Sequence, residues 1–497
     1  MKITVSTAAP EKIAADTLVV IHEKGGALAH PSNREVATHV QNFAKAVDSK
    51  ESRREWFCTL DKKGGVRASH LLLDSTTFSA PAPHDEPLKV TAARCVALCR
   101  EHSLKTLAFL IDHELAASKA SAILEGVMLG DFYDDRFKGS SKEKRPALQI
   151  VFAVPAAAAK EVTESLRRTE IICAAQNRAR ELVNAPHHVV TPDAMAKEAQ
   201  ALAKRVGLKC KILNEKQLAA QGYAPTIEVG RGSEYPPRMI ILSYEPRRPA
   251  LREHFGLIGK GMTFDSGGLC IKTCDSMHKM NNDMAGAAAV LGAMEAIALL
   301  KFPARVTAII SSAHNAIDGA AFYPGSIITA KNGKTIYIEN TDAEGRLILS
   351  DCFARAGEEG IEVMIDLATL TGSCSAALGS AIAGLFTDDN DLRTILLEAG
   401  GNSGDDLWPL PLAREYEPAL KHHLADLNNI ANEPRGGAIH AANFLKNFVP
   451  DGIRWAHLDI AGVATAEKPR RYFRPGASGF GVRLLVEALR LWQTRGE

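Results

Sequence analysis

The chain has 497 residues, 46% apolar and 24% charged, more than one ordinary core organises, so two domains are expected. A net charge of +1 gives bulk electrostatics no hold on nucleic acid or an anionic membrane surface. The amino-terminal MKITVSTAAPEK lacks the apolar core of a secretory signal, and nine scattered cysteines fit a reduced, cytoplasmic chain.

The first third alternates β-rich apolar runs (MKITVS, TLVVIH, SHLLLD, TLAFLI, LQIVFAV) with helical periods in KVTAARCVALCREH and AASKASAILEGVMLGDFY. This predicts a smaller α/β domain over residues 1–156, with Cys95 and Cys99 as small core residues on one helix face. A long helical pattern from about Ala157 to Pro186 predicts a connecting helix over 157–190. Residues 191–497 then form a larger catalytic α/β domain, a mixed central sheet flanked by helices. Its apolar run AGAAAVLGAMEAIALL, interrupted by Glu295 and ended by Lys301, predicts a buried helix and no membrane span.

Four segments of the larger domain share a form. FGLIGKGMTFDSGG reads as a strand into a glycine-rich turn, and KTIYIENTDAEGR as a strand into an acidic turn before the helical LILSDCFARA. EVMIDLATLTGS runs into a Thr/Gly turn, and WAHLDIAGVA is a buried strand end. Ligands gather beyond the carboxyl ends of strands in open α/β sheets, so Lys260, Asp265, Asp342, Glu344 and the Leu370–Gly372 turn are expected around one crevice. Asp283, just before the apolar helix, reads alone as an N-cap carboxylate.

Carboxylates gathered closely raise one another's pKa or take cations between them. The charges of Asp265, Asp283, Asp342 and Glu344 balance two divalent ions, with Lys260 neutral as a nitrogen donor. Lys272 and Arg346 are then surplus cations, available to something anionic. Turn chemistry alone explains an isolated Asp265, but not the whole set in NTDAEGR. GKGMTFDSGG lacks the GxxxxGK[ST] spacing of a nucleotide loop. The sixteen histidines form no ligand spacing: His187–His188 and His422–His423 read as surface or packing residues, His457 as a satisfied core histidine.

GKGMTFDSGGLCIK, NNDMAGAAAV, NTDAEGRL, DLATLTGS and WAHLDIAG, in this order, resemble the leucyl aminopeptidase family of two-metal exopeptidases, whose signature is NTDAEGRL. The resemblance runs from about Asn184 to the end. It implies a tighter metal site of Lys260, Asp265, Asp283 and Glu344, and a more exchangeable one of Asp265, Asp342 and Glu344. It further implies that Lys272 polarises the scissile carbonyl and that Arg346 holds a bicarbonate acting as general base. Leu370 would supply a backbone carbonyl, while Met280, Thr369, Gly372, Ala461 and Ala464 would line the first side-chain pocket. Peptide substrates, a preference for leucine and other hydrophobic first residues, and a homohexamer of two stacked trimers are implied as well. The ligand set accepts zinc, manganese, cobalt or magnesium. Two departures stand out: Asn281 replaces the family's usual lysine, and His187–His188 occupy a place where asparagine is more usual. A DNA-contacting regulator on this scaffold and a two-metal phosphoesterase are the alternatives; the near-zero net charge and intact motifs argue against the first.

Overall fold

All five apolar runs of the first third form strands. The computed structural model describes residues 1–23, 33–48, 55–61, 65–76, 86–111 and 115–496. Strands β1 (Lys2–Ser6), β2 (Thr17–Glu23), β3 (Glu55–Thr59), β4 (His70–Thr76), β5 (Thr106–Leu110) and β6 (Gln149–Ala153) make one sheet in the order β1-β6-β5-β2-β4-β3. Every pairing is parallel except that of the edge strand β3 with β4. Cys95 and Cys99, on the helix Glu86–Glu101, are fully buried with Phe109 and Phe152. The helix Arg34–Asp48 and strand β3 are additions to the expected elements. That helix buries Val36, Val40, Phe43 and Val47 with Leu18, Leu71 and Leu73.

By contact the chain divides into Met1–Ala174 with Lys468–Arg474, and Ala175–Glu467 with Pro475–Glu497. The division falls inside the helix Ala159–Asn184. In the helix's second half, Gln176 and Arg180 donate to the carbonyls of Ser478 and Ala477, both at 2.9 Å.

The second unit contains strands β7 (Lys209–Leu213), β8 (Arg238–Tyr244), β9 (His254–Asp265), β10 (Arg305–Asn315), β11 (Ile327–Thr329) and β12 (Thr335–Tyr337). It continues with β13 (Val363–Ala368), β14 (Ala383–Phe386), β15 (Leu407–Pro409), β16 (Leu427–Asn428) and β17 (Arg454–Asp459). The main sheet runs β15-β14-β17-β13-β9-β10-β8-β7, with β11, β12 and β16 in a separate small sheet. Its centre, β17-β13-β9-β10, is parallel; β14, β8 and β7 pair antiparallel with their inner neighbours, so the sheet is mixed as expected. Strand β9 is buried along its length apart from Phe264, as its continuous apolar sequence requires.

Helix Ala285–Leu300 is the buried helix foreseen. The segment Met280–Leu300 is long and apolar enough to cross a membrane by composition, yet its apolar stretch is mostly buried inside the protein. Glu295, the one carboxylate of the helix Ala285–Leu300, pairs with Arg178 and, at 3.1 Å, with Arg205. His457 also behaves as foreseen, 1% exposed with Nδ1 at 2.6 Å from Asp366 Oδ1.

Asp351, on the helix Gly345–Glu358, is fully buried. Its Oδ2 accepts from the Thr226 amide at 2.8 Å, and Oδ1 has no hydrogen-bond partner. Burial pushes this carboxyl from 3.8 to about 7. The folded chain thus holds the proton more tightly than the unfolded one, and stability falls as pH rises from about 4 to about 7. Asp351→Asn keeps the acceptor without the charge. It is expected to raise stability at pH 8 by about 1–3 kcal/mol, the gain vanishing below about pH 4, read by denaturant unfolding at both pH values.

Candidate metal centre

The parallel strands bring their carboxyl ends to one edge: β9 ends at Asp265, β10 at Asn315, β13 at Ala368 and β17 at Asp459. Lys260 lies within β9, and the start of helix Gly345–Glu358 packs directly on it. A Cβ at Gly345 would stand 2.6 Å from Lys260 Nζ, so only glycine leaves room for the amine. Helix Ala285–Leu300 approaches β13 as closely, since a Cβ at Gly286 would lie 2.0 Å from the Leu367 carbonyl. That approach delivers Asp283 to Lys260.

A cavity of about 570 Å³ opens here, lined by every expected site residue except Ala464. Ala464 is 2% exposed and does not line the cavity; its carbonyl accepts from the Ser478 amide at 3.0 Å. Oxygens of Asp265, Asp342 and Glu344 lie within 4.8 Å of one another. Lys260 Nζ is 2.8 Å from Asp283 Oδ1, 3.0 Å from Glu344 Oε1 and 3.0 Å from the Thr369 carbonyl. Lys272 Nζ lies 2.8 Å from Asp265 Oδ2 and pairs with Asp342 Oδ1. Arg346 donates from Nη1 to the Asn429 carbonyl at 2.8 Å, and its buried Nε has no partner.

Burial drives the carboxyls of Asp265, Asp283, Asp342 and Glu344 above the ordinary carboxylate range, and their mutual repulsion adds to it. The same burial opposes the Lys260 charge, but Asp283, Glu344 and Asp265 outweigh it and hold its pKa above that of a free lysine. Lys272 is raised in the same way, chiefly by Asp265. Burial lowers the Arg346 guanidinium to about 10. Such a cluster demands positive charge between its members. Convergent oxygens, one amine and the buried, unpartnered Asp283 Oδ2 are donors that fit divalent cations.

Three expectations change. Asp283 is no helix cap: the helix starts at Ala285 behind Met284 with no side-chain cap, and Asp283 turns to Lys260 and to the Thr369 hydroxyl at 2.7 Å. A long-range ammonium outweighs the local capping rule. Lys272 is not a surplus cation, because Asp265 and Asp342 engage it. The acidic turn leaves β12 of the small sheet and not a strand of the main one, since β12 spans three residues and pairs only with β11 and β16. Of the departures, Asn281 donates to the Val183 and Ala185 carbonyls at 3.0 and 3.3 Å, clear of the cavity. His187 packs among Phe264, His188 and His314.

Three buried residues supporting the site were not among the expected site residues, although Asp459 lies within the segment WAHLDIAG. Asn315 Nδ2 holds Asp265 Oδ1 at 2.8 Å and the Thr341 carbonyl at 3.1 Å. Asn429 Oδ1 accepts from the amides of Glu339 and Asn340, bracing the acidic turn. Asp459 accepts from the Leu370–Thr371 turn. The signal for Asp459 is a carboxylate inside the apolar run WAHLDIAGV, which must find donors if buried.

The site is a buried acidic cluster fit for divalent cations, set at the carboxyl edge of a mixed α/β sheet. Residues 177–486 match the model of the cytosol aminopeptidase family, catalytic domain. A probable cytosol aminopeptidase of Solibacter usitatus is 37% identical over 494 residues, 99% of this chain and 100% of that protein. One from Thermosynechococcus vestitus is 44% identical over 408 residues, 81% of each. Among solved structures, the bottromycin maturation enzyme BotP in complex with Mn superposes with a TM-score of 0.84 at 31% identity, covering 97% of this chain and 100% of that one. The chain belongs to the cytosol aminopeptidase family, and membership implies a hydrolase that removes amino-terminal residues with the help of metal.

Proposed function

We propose that the chain is a leucyl aminopeptidase that cleaves amino-terminal leucine and other hydrophobic residues from peptides at a two-metal centre. The convergence of Asp265, Asp342 and Glu344, with Lys260 and Asp283 beside them, carries this reading. Lys260, Asp265, Asp283 and Glu344 would hold one ion, and Asp265, Asp342 and Glu344 the other. When bound, the pair supplies an activated water and polarises the scissile carbonyl. Zinc or manganese suits the donors best, with cobalt or magnesium acceptable, and a similar protein solved with Mn supports manganese.

The protein's own groups do the rest. Lys272 meets the negative charge developing on the carbonyl oxygen as a fixed cation. Arg346 cannot act as a base; its free Nε fits the holding of an anion, for which we assign bicarbonate as the proton acceptor. Leu370 offers its carbonyl to the substrate amide. Met280, Thr369, Gly372 and Ala461 wall the pocket for the first side chain. Cytoplasmic location, peptide substrates and a homohexamer complete the proposal, without a membrane or nucleic-acid partner.

Metal analysis paired with a panel of amino-acid amides and one phosphate ester tests it. The expected result is about two divalent ions per chain and leucine amide hydrolysed well above glycine amide, with no ester hydrolysis. Ester turnover matching that of the amides would replace the reading with a phosphoesterase.

A further inference from the structure

The turn after β13 is held by a residue that does not itself face substrate. We infer that Asp459 is a positioning residue that aims the backbone carbonyls of the Thr369–Thr371 turn and thereby sets selectivity for the first side chain, an inference resting on the aminopeptidase reading above. Asp459 is the last residue of β17, 1% exposed and in register with Ala368, the last residue of β13. At this place both chains leave the sheet and their amides lose ladder partners. One carboxylate satisfies them. Asp459 Oδ1 accepts from the amides of Leu370 (3.2 Å), Thr371 (3.4 Å) and Ala461 (3.2 Å), and Oδ2 accepts from the Thr371 hydroxyl at 2.6 Å. Leu370, Thr371 and Ala461 all line the cavity.

Peptide planarity carries the effect further. The Leu370 N–H and the Thr369 carbonyl belong to one rigid plane, antiparallel to each other. Asp459 pins one end of that plane and Lys260 Nζ the other, at 3.0 Å from the carbonyl. The next plane joins the Thr371 N–H to the Leu370 carbonyl, so the same carboxylate fixes where the proposed substrate acceptor points. The Thr369 hydroxyl extends the network to Asp283 Oδ1 at 2.7 Å. Both the Leu370 side and the Ala461 side of the pocket therefore depend on one buried acid.

The experiment measures kcat and KM of the metal-loaded full chain on leucine and glycine amides, with metal content and thermal unfolding in parallel. Asp459→Ala is expected to lower kcat on leucine amide about 10²-fold with metal content unchanged, because the turn no longer holds its near-attack geometry. The leucine-over-glycine ratio of kcat/KM should shrink about tenfold. Asp459→Asn, which keeps an acceptor oxygen, should retain most of that ratio. If Asp459→Ala does not fold, the pair Thr371→Val and Thr371→Ser decides: the ratio should fall in the first and recover in the second. An unchanged ratio in Asp459→Ala, or in Thr371→Val, overturns the inference while leaving the aminopeptidase reading intact. An inactive wild-type holoenzyme overturns both.

Discussion

Replacing Glu344 by alanine is expected to abolish metal retention and turnover together while leaving the metal-free fold at least as stable. Glu344 is 2% exposed, pairs with Lys260 and shares the 4.8 Å cluster with Asp265 and Asp342. In the proposed assignment it serves both ions, so its loss should disrupt both, lowering kcat by more than about 10³-fold. Stability should move the other way. Burial, and then the Asp265 charge, raise the Glu344 carboxyl, which marks a group held against its electrostatic preference. Without it Lys260 keeps Asp283 at 2.8 Å and stays paired. Metal content, turnover and melting temperature of the dialysed protein check the three parts. Loss of activity with undiminished metal would show that Glu344 is no ligand, and a steep fall in the metal-free melting temperature would make it a structural residue instead. Glu344→Gln, which preserves volume, should reproduce the metal loss.

The chemistry of this site was legible because its residues cluster in short segments that end strands or open turns. Lys260 and Asp265 lie on β9, Asp342 and Glu344 on one turn, and Arg346 at the start of the helix that follows it. What could not be read was which sheet feeds that turn. KTIYIE has the composition of a strand wherever it pairs, and only the partners of β12 reveal the small sheet. Asp283 could be read two ways, alone as a cap, because an acid before an apolar helix satisfies the capping rule locally, and with the other acids as a metal ligand; its partner Lys260 is distant in sequence. Asn315 and Asn429 left even less trace, and Asp459 showed only as a carboxylate inside the apolar run WAHLDIAGV. Asn429 meets Arg346 across 83 residues and Asp459 meets Leu370 across 89, separations at which one asparagine or aspartate carries no pattern. The helix Arg34–Asp48 differs again, since Val36, Val40, Phe43 and Val47 carry an ordinary helical period that was there to be read. The larger unit's buried central strands were legible because β9, β13 and β17 are largely apolar runs, which a sheet covered on both faces accommodates.

Lys272→Ala is expected to separate the two roles of positive charge in the site. Lys272 Nζ stands 2.8 Å from Asp265 Oδ2 and against Asp342 Oδ1, and Asp265 and Glu344 hold its pKa above that of a free lysine despite burial. It therefore stays an ammonium through the neutral range. Neither proposed ligand set includes Lys272, so the variant should retain its metal, and Asp265 and Asp342 should bind it no more weakly once a competing cation is gone. Turnover should nevertheless fall about 10²- to 10³-fold, the range associated with losing one fixed donor aimed at a developing oxyanion. KM should change only a few-fold, because that charge appears in the transition state and not in the bound substrate. Lys272→Arg should not restore the rate, since a planar guanidinium cannot replace a compact ammonium between two carboxylates. The checks are kcat and KM on leucine amide beside metal content. Full turnover in Lys272→Ala would remove Lys272 from the mechanism. Metal lost in proportion to activity would reassign it as the group that holds Asp265 and Asp342 together for the ions.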